Sequence, residues 1–230
     1  MDWLRSDGLG MIETHGDIKV YRIPYPHTDE LYAKVRDKIR HVTSQPSYMP
    51  FTNTIISADA VATNKAARCS FWNADGKGIE LYKWDELSEF FAFVKPHIRN
   101  YLNEIGIDEK DIVIKNVWCN EYPQGTSTNR HRHLYSDYGT AKHIHKTPYD
   151  IIGVLFYIHK PKDSADLLLE IDGEMKKMNV QPGEVLILPT YQYHTTEPYV
   201  GDDFKHMIGI ELLPRWITDE EIVGMTLEEL

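Results

Sequence analysis

Four histidines fall within fifteen residues of this chain, as two copies of one pattern: His131-x-His133 and His143-x-His145. A fifth, His194, lies just beyond the apolar run Val185-Leu186-Ile187-Leu188-Pro189. Residues two apart on a β-strand point to the same face, so each pair presents both imidazoles together. A histidine from a neighbouring strand then completes one face of a metal's coordination sphere. With 11 histidines in 230 residues, a window of this size holds fewer than one by chance, and the cluster is read as a metal site. Imidazole suits iron, zinc, copper and nickel alike, so ligand type does not choose the ion. Asp137 and Asp150 each come after one pair and are candidate carboxylate ligands, although a lone loop aspartate also caps turns. On the residues alone, either pair can supply the ligands.

Strands have to position these groups, and the second half of the chain is rich in them. Residues 112–122 alternate, with Ile112, Ile114, Asn116, Trp118 and Asn120 on one face. Residues 151–158 form a continuous apolar run suited to a buried strand. Residues 167–171 lead into Asp172-Gly173, a hairpin signal. Pro182-Gly183 marks a turn before the strand at 185–188, and 207–213 form a last strand. The first half is different. A short strand at 18–23 ends at Pro24 and Pro26, and Thr28 can cap a helix through Leu31, Val35 and Ile39. Short strands are expected near Ile55 and over 67–72. From Trp84 the spacing of Leu87, Phe90, Phe91, Val94, Ile98, Tyr101 and Leu102 is helical, with Pro96 as a kink and Gly106 as terminator. Thr218 begins a short acidic C-terminal helix.

This pattern predicts one domain over 1–230. Residues 1–110 form a helix-containing N-terminal part, 111–215 a core of short strands, and 216–230 the acidic helix. Runs of short strands with tight turns point to a barrel or sandwich, an all-β core with flanking helices. Composition is that of a soluble globular protein, with 42% hydrophobic residues. A net charge of −10 argues against a broad nucleic-acid or anionic-membrane surface. Cys69 and Cys119 form no C-x-x-C pair, which favours a reducing, cytoplasmic setting over a disulfide framework. The first residues are too polar for a signal peptide, and no apolar run reaches the roughly 18 residues of a spanning helix.

The stretch Trp118-Cys119-Asn120-Glu121-Tyr122-Pro123-Gln124-Gly125, then Asn129-Arg130-His131-Arg132-His133, resembles a motif of the 2-oxoglutarate/iron(II)-dependent oxygenase superfamily. It is closest to a phage and bacterial branch that carries His-x-His. The strand Ile152 to Ile158, and the element from Val180 through Leu188-Pro189 to His194, resemble the next strands of that branch. The resemblance covers about residues 112–213. It implies a double-stranded β-helix, the cupin-like jelly roll, with Fe(II) between its sheets. It selects His131, His133 and His194 as catalytic metal ligands, with Asp137 as a possible addition, and assigns His143 and His145 to an insertion. It also implies that a basic residue on the last strand binds the far carboxylate of 2-oxoglutarate, where Lys205 fits best and His206 is the alternative. Asn120 and Tyr157 are the candidate polar contacts of that cosubstrate, and Trp118 is assigned to the core. Tyr191, Tyr193 and Tyr199 surround His194 in sequence, for pocket or core.

This chain departs from the superfamily's pattern in three ways. His133 stands where most members carry aspartate; Lys205 or His206 stands for the usual arginine, with Met207 for a small hydroxyl residue; and an inserted segment carrying His143 and His145 separates His133 from the strand at 151. The implied activity is oxidative decarboxylation of 2-oxoglutarate coupled to hydroxylation, or a related oxidation, of a small-molecule or peptide substrate. A cupin-type metal-dependent dioxygenase or isomerase without a 2-oxo acid is the alternative enzyme. A jelly-roll binding module without a catalytic metal is the alternative from another class.

Overall fold

The computed structural model describes residues 10–49, 54–56, 67–70, 80–133, 147–161, 166–215 and 224–230. Among these, the strands are β1 (Met11–His15), β2 (Ile18–Pro24), β3 (Ser47–Met49), β4 (Thr54–Ile56), β5 (Arg68–Cys69) and β6 (Ile112–Tyr122). They continue with β7 (Ile152–His159), β8 (Leu167–Ile171), β9 (Glu174–Lys177), β10 (Glu184–Pro189), β11 (His194–Thr196) and β12 (Lys205–Pro214). The helices are α1 (Thr28–Thr43) and α2 (Ser88–Ile105).

The larger sheet is antiparallel with order β1-β2-β10-β7-β12-β6-β5, and a smaller sheet has order β11-β8-β9. β3 and β4 pair separately. From β6 onward the chain alternates between the two main sheets. The segment after β6 adds an edge to the smaller sheet, because His131 and His194 exchange backbone N–H to C=O bonds of 3.0 and 2.8 Å. β7, β10 and β12 return to the larger sheet, while β8, β9 and β11 lie in the smaller one. This is the expected double-stranded β-helix with helices on one side.

The turns show why the sequence folds this way. Asp172 and Gly173 have φ of 54° and 80°, the left-handed pair that a tight hairpin between β8 and β9 requires. Gly125, with φ 79°, turns the chain out of β6 toward the smaller sheet. Gly106, in the left-handed region at φ 76°, ends α2 as expected. Three expectations need correction. α2 starts at Ser88, after two 3-10 turns, rather than at Trp84. Thr28 lies inside the first turn of α1, where its hydroxyl donates to Tyr25 O at 2.8 Å, so it does not cap the helix. The expected C-terminal helix starts, at Thr218, on residues outside those described. The described part, 224–230, is not helical, because Met225 is held as a β-bridge to Ile114 by bonds of 2.7 and 3.0 Å.

Two cores result. The outer face of the larger sheet, with Val154, Phe156, Ile208 and Ile210, packs against the apolar stripes of α1 and α2. The inner core, between the sheets, holds Trp118, Tyr122, Leu155, Tyr157, Leu186, Leu188 and Met207. β6 does not keep one face throughout. Its register with β12 slips where Asn116 pairs with Glu211 and Ile114 with Leu212, leaving Lys115 as an extra residue. The slip sends Ile112 and Ile114 to the helix-side core and leaves Trp118 inside the barrel. Asn116 and Asn120 share the inner face with Trp118 by alternation. No helix among the described residues is long and apolar enough to cross a membrane.

β2 is joined to this core by Arg22, which donates to both oxygens of Glu184 at 2.7 and 2.8 Å and to the carbonyls of Met178 and Asn179 at 3.0 and 3.2 Å. Both charged residues are buried. Arg22→Met leaves the Glu184 carboxylate without its counter-charge. Urea denaturation should show a loss of about 3–5 kcal/mol, well beyond the roughly 0–1 kcal/mol of a surface pair.

Candidate metal centre

His131 and His133 lie on the segment that leaves β6, and His194 opens β11. The backbone pairing of His131 with His194 and a bond from His133 N to Thr190 O, 2.9 Å, hold the two segments antiparallel. The three imidazoles therefore converge, with one nitrogen from each within 4.8 Å of the others. Ring centroids are 4.3 Å apart for His131 and His194, 5.1 Å for His133 and His194, and 5.3 Å for His131 and His133.

The remaining ring nitrogens are engaged. His131 Nδ1 meets Asn129 O at 2.7 Å, and His194 Nδ1 meets Gln192 O at 2.8 Å. His133 Nδ1 meets the carboxylate of Glu211. All these partners are acceptors, so each imidazole carries its proton on Nδ1 and directs the Nε2 lone pair inward. Burial, reinforced by repulsion from His133, pushes the His131 pKa down to about 4. Burial and the other two histidines hold His194 well below the usual range. These two are thus neutral donors at neutral pH, and the set suits a divalent transition metal.

Of the other candidates, Asp137, His143 and His145 lie outside the described residues. Asp150 is buried in the turn before β7, where it accepts from Thr147 Oγ1 at 2.8 Å, and it is not part of the cluster. Lys205 and His206 point to opposite faces of β12. Lys205 is fully buried inside the barrel, its Nζ 4.5 Å from the ring centre of Tyr122 and 5.2 Å from that of Tyr157. Desolvation, then repulsion from Lys160, lowers its pKa to about 7. His206 faces the helices, between Tyr32 Oη at 2.8 Å and Glu121 Oε2 at 3.0 Å. Asn120 donates to Tyr122 Oη at 3.4 Å, and its Oδ1 is buried with no partner among the described residues. Trp118 and Tyr199 belong to the inner core, whereas Tyr191 and Tyr193 stack under the guanidinium of Arg132.

Sequence reasoning overlooked Glu211. Its signal was present: a single acid within the otherwise apolar run from Ile208 to Leu213.

No protein-family model matches the chain, and no curated protein matches it. Solved structures do. A prolyl-4-hydroxylase from Pseudomonas putida aligns with TM-score 0.55 and 13% identity over 88% of this chain and 94% of its own. HygX from Streptomyces hygroscopicus, solved with nickel and 2-oxoglutarate, aligns with TM-score 0.53 and 9% identity over 90% and 87%. A Trichoplax adhaerens prolyl hydroxylase, solved with a hypoxia inducible factor peptide fragment, aligns with TM-score 0.52 and 12% identity over 91% and 85%. The chain has the fold of 2-oxoglutarate/iron(II) oxygenases, as the resemblance implied.

His194→Ala should abolish most binding of a divalent metal in a titration, because two imidazoles hold an ion poorly, while His143→Ala and His145→Ala should bind as wild type. Unchanged affinity in His194→Ala would exclude it as a ligand. Lys205 gives a second expectation, because its folded pKa lies below its unfolded value. Between about pH 7 and 10 the unfolded chain binds the extra proton, so this group makes stability rise with pH. Denaturation of wild type against Lys205→Met at pH 7 and 9 should show the difference shrinking at the higher pH.

Proposed function

We propose that the protein is an oxygenase dependent on iron(II) and 2-oxoglutarate, with His131, His133 and His194 holding the metal and Lys205 taking the far carboxylate of the cosubstrate. The observation that carries this reading is the convergence of the three imidazoles, each with Nδ1 engaged and Nε2 turned inward. When bound, the ion supplies dioxygen activation coupled to decarboxylation of the 2-oxo acid. The chain supplies the rest. The three imidazoles would hold the ion and leave the rest of its coordination to the cosubstrate and oxygen. Lys205, dry and flanked by Tyr122 and Tyr157, offers a charge-assisted bond that is stronger than it would be in water. Asn120, with an unmatched amide oxygen, and the Tyr157 hydroxyl are the polar contacts on the same inner surface. The primary substrate is a small molecule or a peptide, and the setting is cytoplasmic.

Anaerobic titration with iron(II) and 2-oxoglutarate tests this directly. A weak visible charge-transfer band should require both components, and admitting oxygen should convert 2-oxoglutarate to succinate. Metal binding with neither band nor succinate would move the protein to the cupin-type alternative. Lys205→Ala should weaken 2-oxoglutarate by about ten- to a hundredfold, equivalent to about 1.5–3 kcal/mol, and leave metal affinity intact. A loss seen only in His206→Ala would place the carboxylate contact on the other face of β12.

A further inference from the structure

We infer that Glu211 is a positioning residue of the metal centre, supplying through His133 the negative charge that an aspartate ligand supplies directly in a two-histidine, one-carboxylate set. The inference rests on the metal reading proposed above and concerns how this chain accommodates a histidine at position 133.

Glu211 lies on β12 across from Asn116 of β6, and its side chain is fully buried. One carboxylate oxygen accepts from His133 Nδ1. The other, Oε2, is buried with no hydrogen-bond partner among the described residues. A buried carboxylate with half its acceptor capacity unmet is costly, and the neighbouring strand positions are apolar. The cost is offset once a divalent cation sits on the far side of the His133 ring, a few ångströms away in the same dry interior.

The partners of the other two imidazoles sharpen the point. His131 and His194 donate to neutral backbone carbonyls, of Asn129 and Gln192. Only His133, the position where the resembling superfamily mostly carries aspartate, is backed by a formal charge. Three neutral imidazoles around a divalent ion leave a net charge of about +2. Adding Glu211 gives about +1, the same as a facial triad with one carboxylate ligand. The carboxylate also polarises the Nδ1–H, making His133 the more basic donor, and fixes its ring orientation.

Glu211→Gln keeps an oxygen able to accept from His133 Nδ1 and removes the charge; Glu211→Leu removes both. Cobalt(II) serves as the probe, because its visible spectrum reports coordination without turnover. Metal-free Glu211→Gln should unfold at a temperature equal to or above that of metal-free wild type, while cobalt(II) binds about ten- to a hundredfold more weakly and with a shifted spectrum. Glu211→Leu should lose at least as much affinity. A purely structural glutamate gives the opposite pattern, lower metal-free stability with unchanged cobalt(II) affinity, and that result overturns the inference. If wild type itself binds no cobalt(II), the metal reading fails, and this inference with it. If wild type binds and Glu211→Gln matches it, only this inference falls.

Discussion

His131 and His194 are 63 residues apart, and the two backbone bonds they exchange bring separate crossings between the sheets into one register. Each segment leaves the larger sheet by a tight turn, after Tyr122 through Gly125 and after Pro189 through Thr190. A ligand set built this way depends on backbone geometry more than on side-chain packing. Moving either segment by one residue would turn its imidazole out of the barrel, because the side-chain period is two. The His133 N–H bond to Thr190 O ties the two segments together a second time, two residues out of that register.

The same period-two logic separates two chemistries on β12. Its inner positions, Lys205, Met207, Gly209 and Glu211, oppose Tyr122, Asn120, Trp118 and Asn116 of β6. Its outer positions, with His206, Ile208 and Ile210, belong to the helix side, where His206 joins Tyr32 and Glu121. Gly209 is a consequence of Trp118. A β-carbon there would come within 2.4 Å of the indole, so the strand omits a side chain where the largest inner residue lies. Trp118 in turn stands 6.2 Å from the His133 ring, filling the space beside the histidine cluster.

Much of this was legible in the chain, and for physical reasons. Alternation and hairpin chemistry reveal themselves locally, so β7, β8, β10 and the Asp172-Gly173 turn could be read with nearly correct bounds. The His-x-His pattern and the apolar run before His194 gave the ligand candidates, whereas Lys205 came from the family resemblance, which left His206 open as the alternative. The bulge at Lys115 was not legible, because a one-residue slip is decided by pairing with β12 and leaves no mark in the composition of β6. The role of Thr28 was misread because its hydroxyl had a nearer acceptor in Tyr25 O. Glu211 was overlooked because its meaning comes from a partner 78 residues away, and Asn129 and Gln192 act only through carbonyls that every residue possesses.

The placement of charge inside the barrel accounts for the departures from the superfamily's pattern as one set. Lys205 and Glu211 are both fully buried, on one face of one strand, six positions apart. At about 3.3 Å per residue their backbones are roughly 20 Å apart, too far for the two side chains to form a direct pair. Each therefore carries a desolvation cost that the other does not cancel. On the proposed reading, a metal ion beside His133 would answer the Glu211 carboxylate, and a 2-oxo acid reaching toward Lys205 would set a further anion beside its ammonium. The same reading would account for a histidine at position 133, where the family the chain resembles mostly has aspartate. There the negative charge would sit one hydrogen bond outward, and the centre would keep its net charge while presenting three nitrogens to an ion.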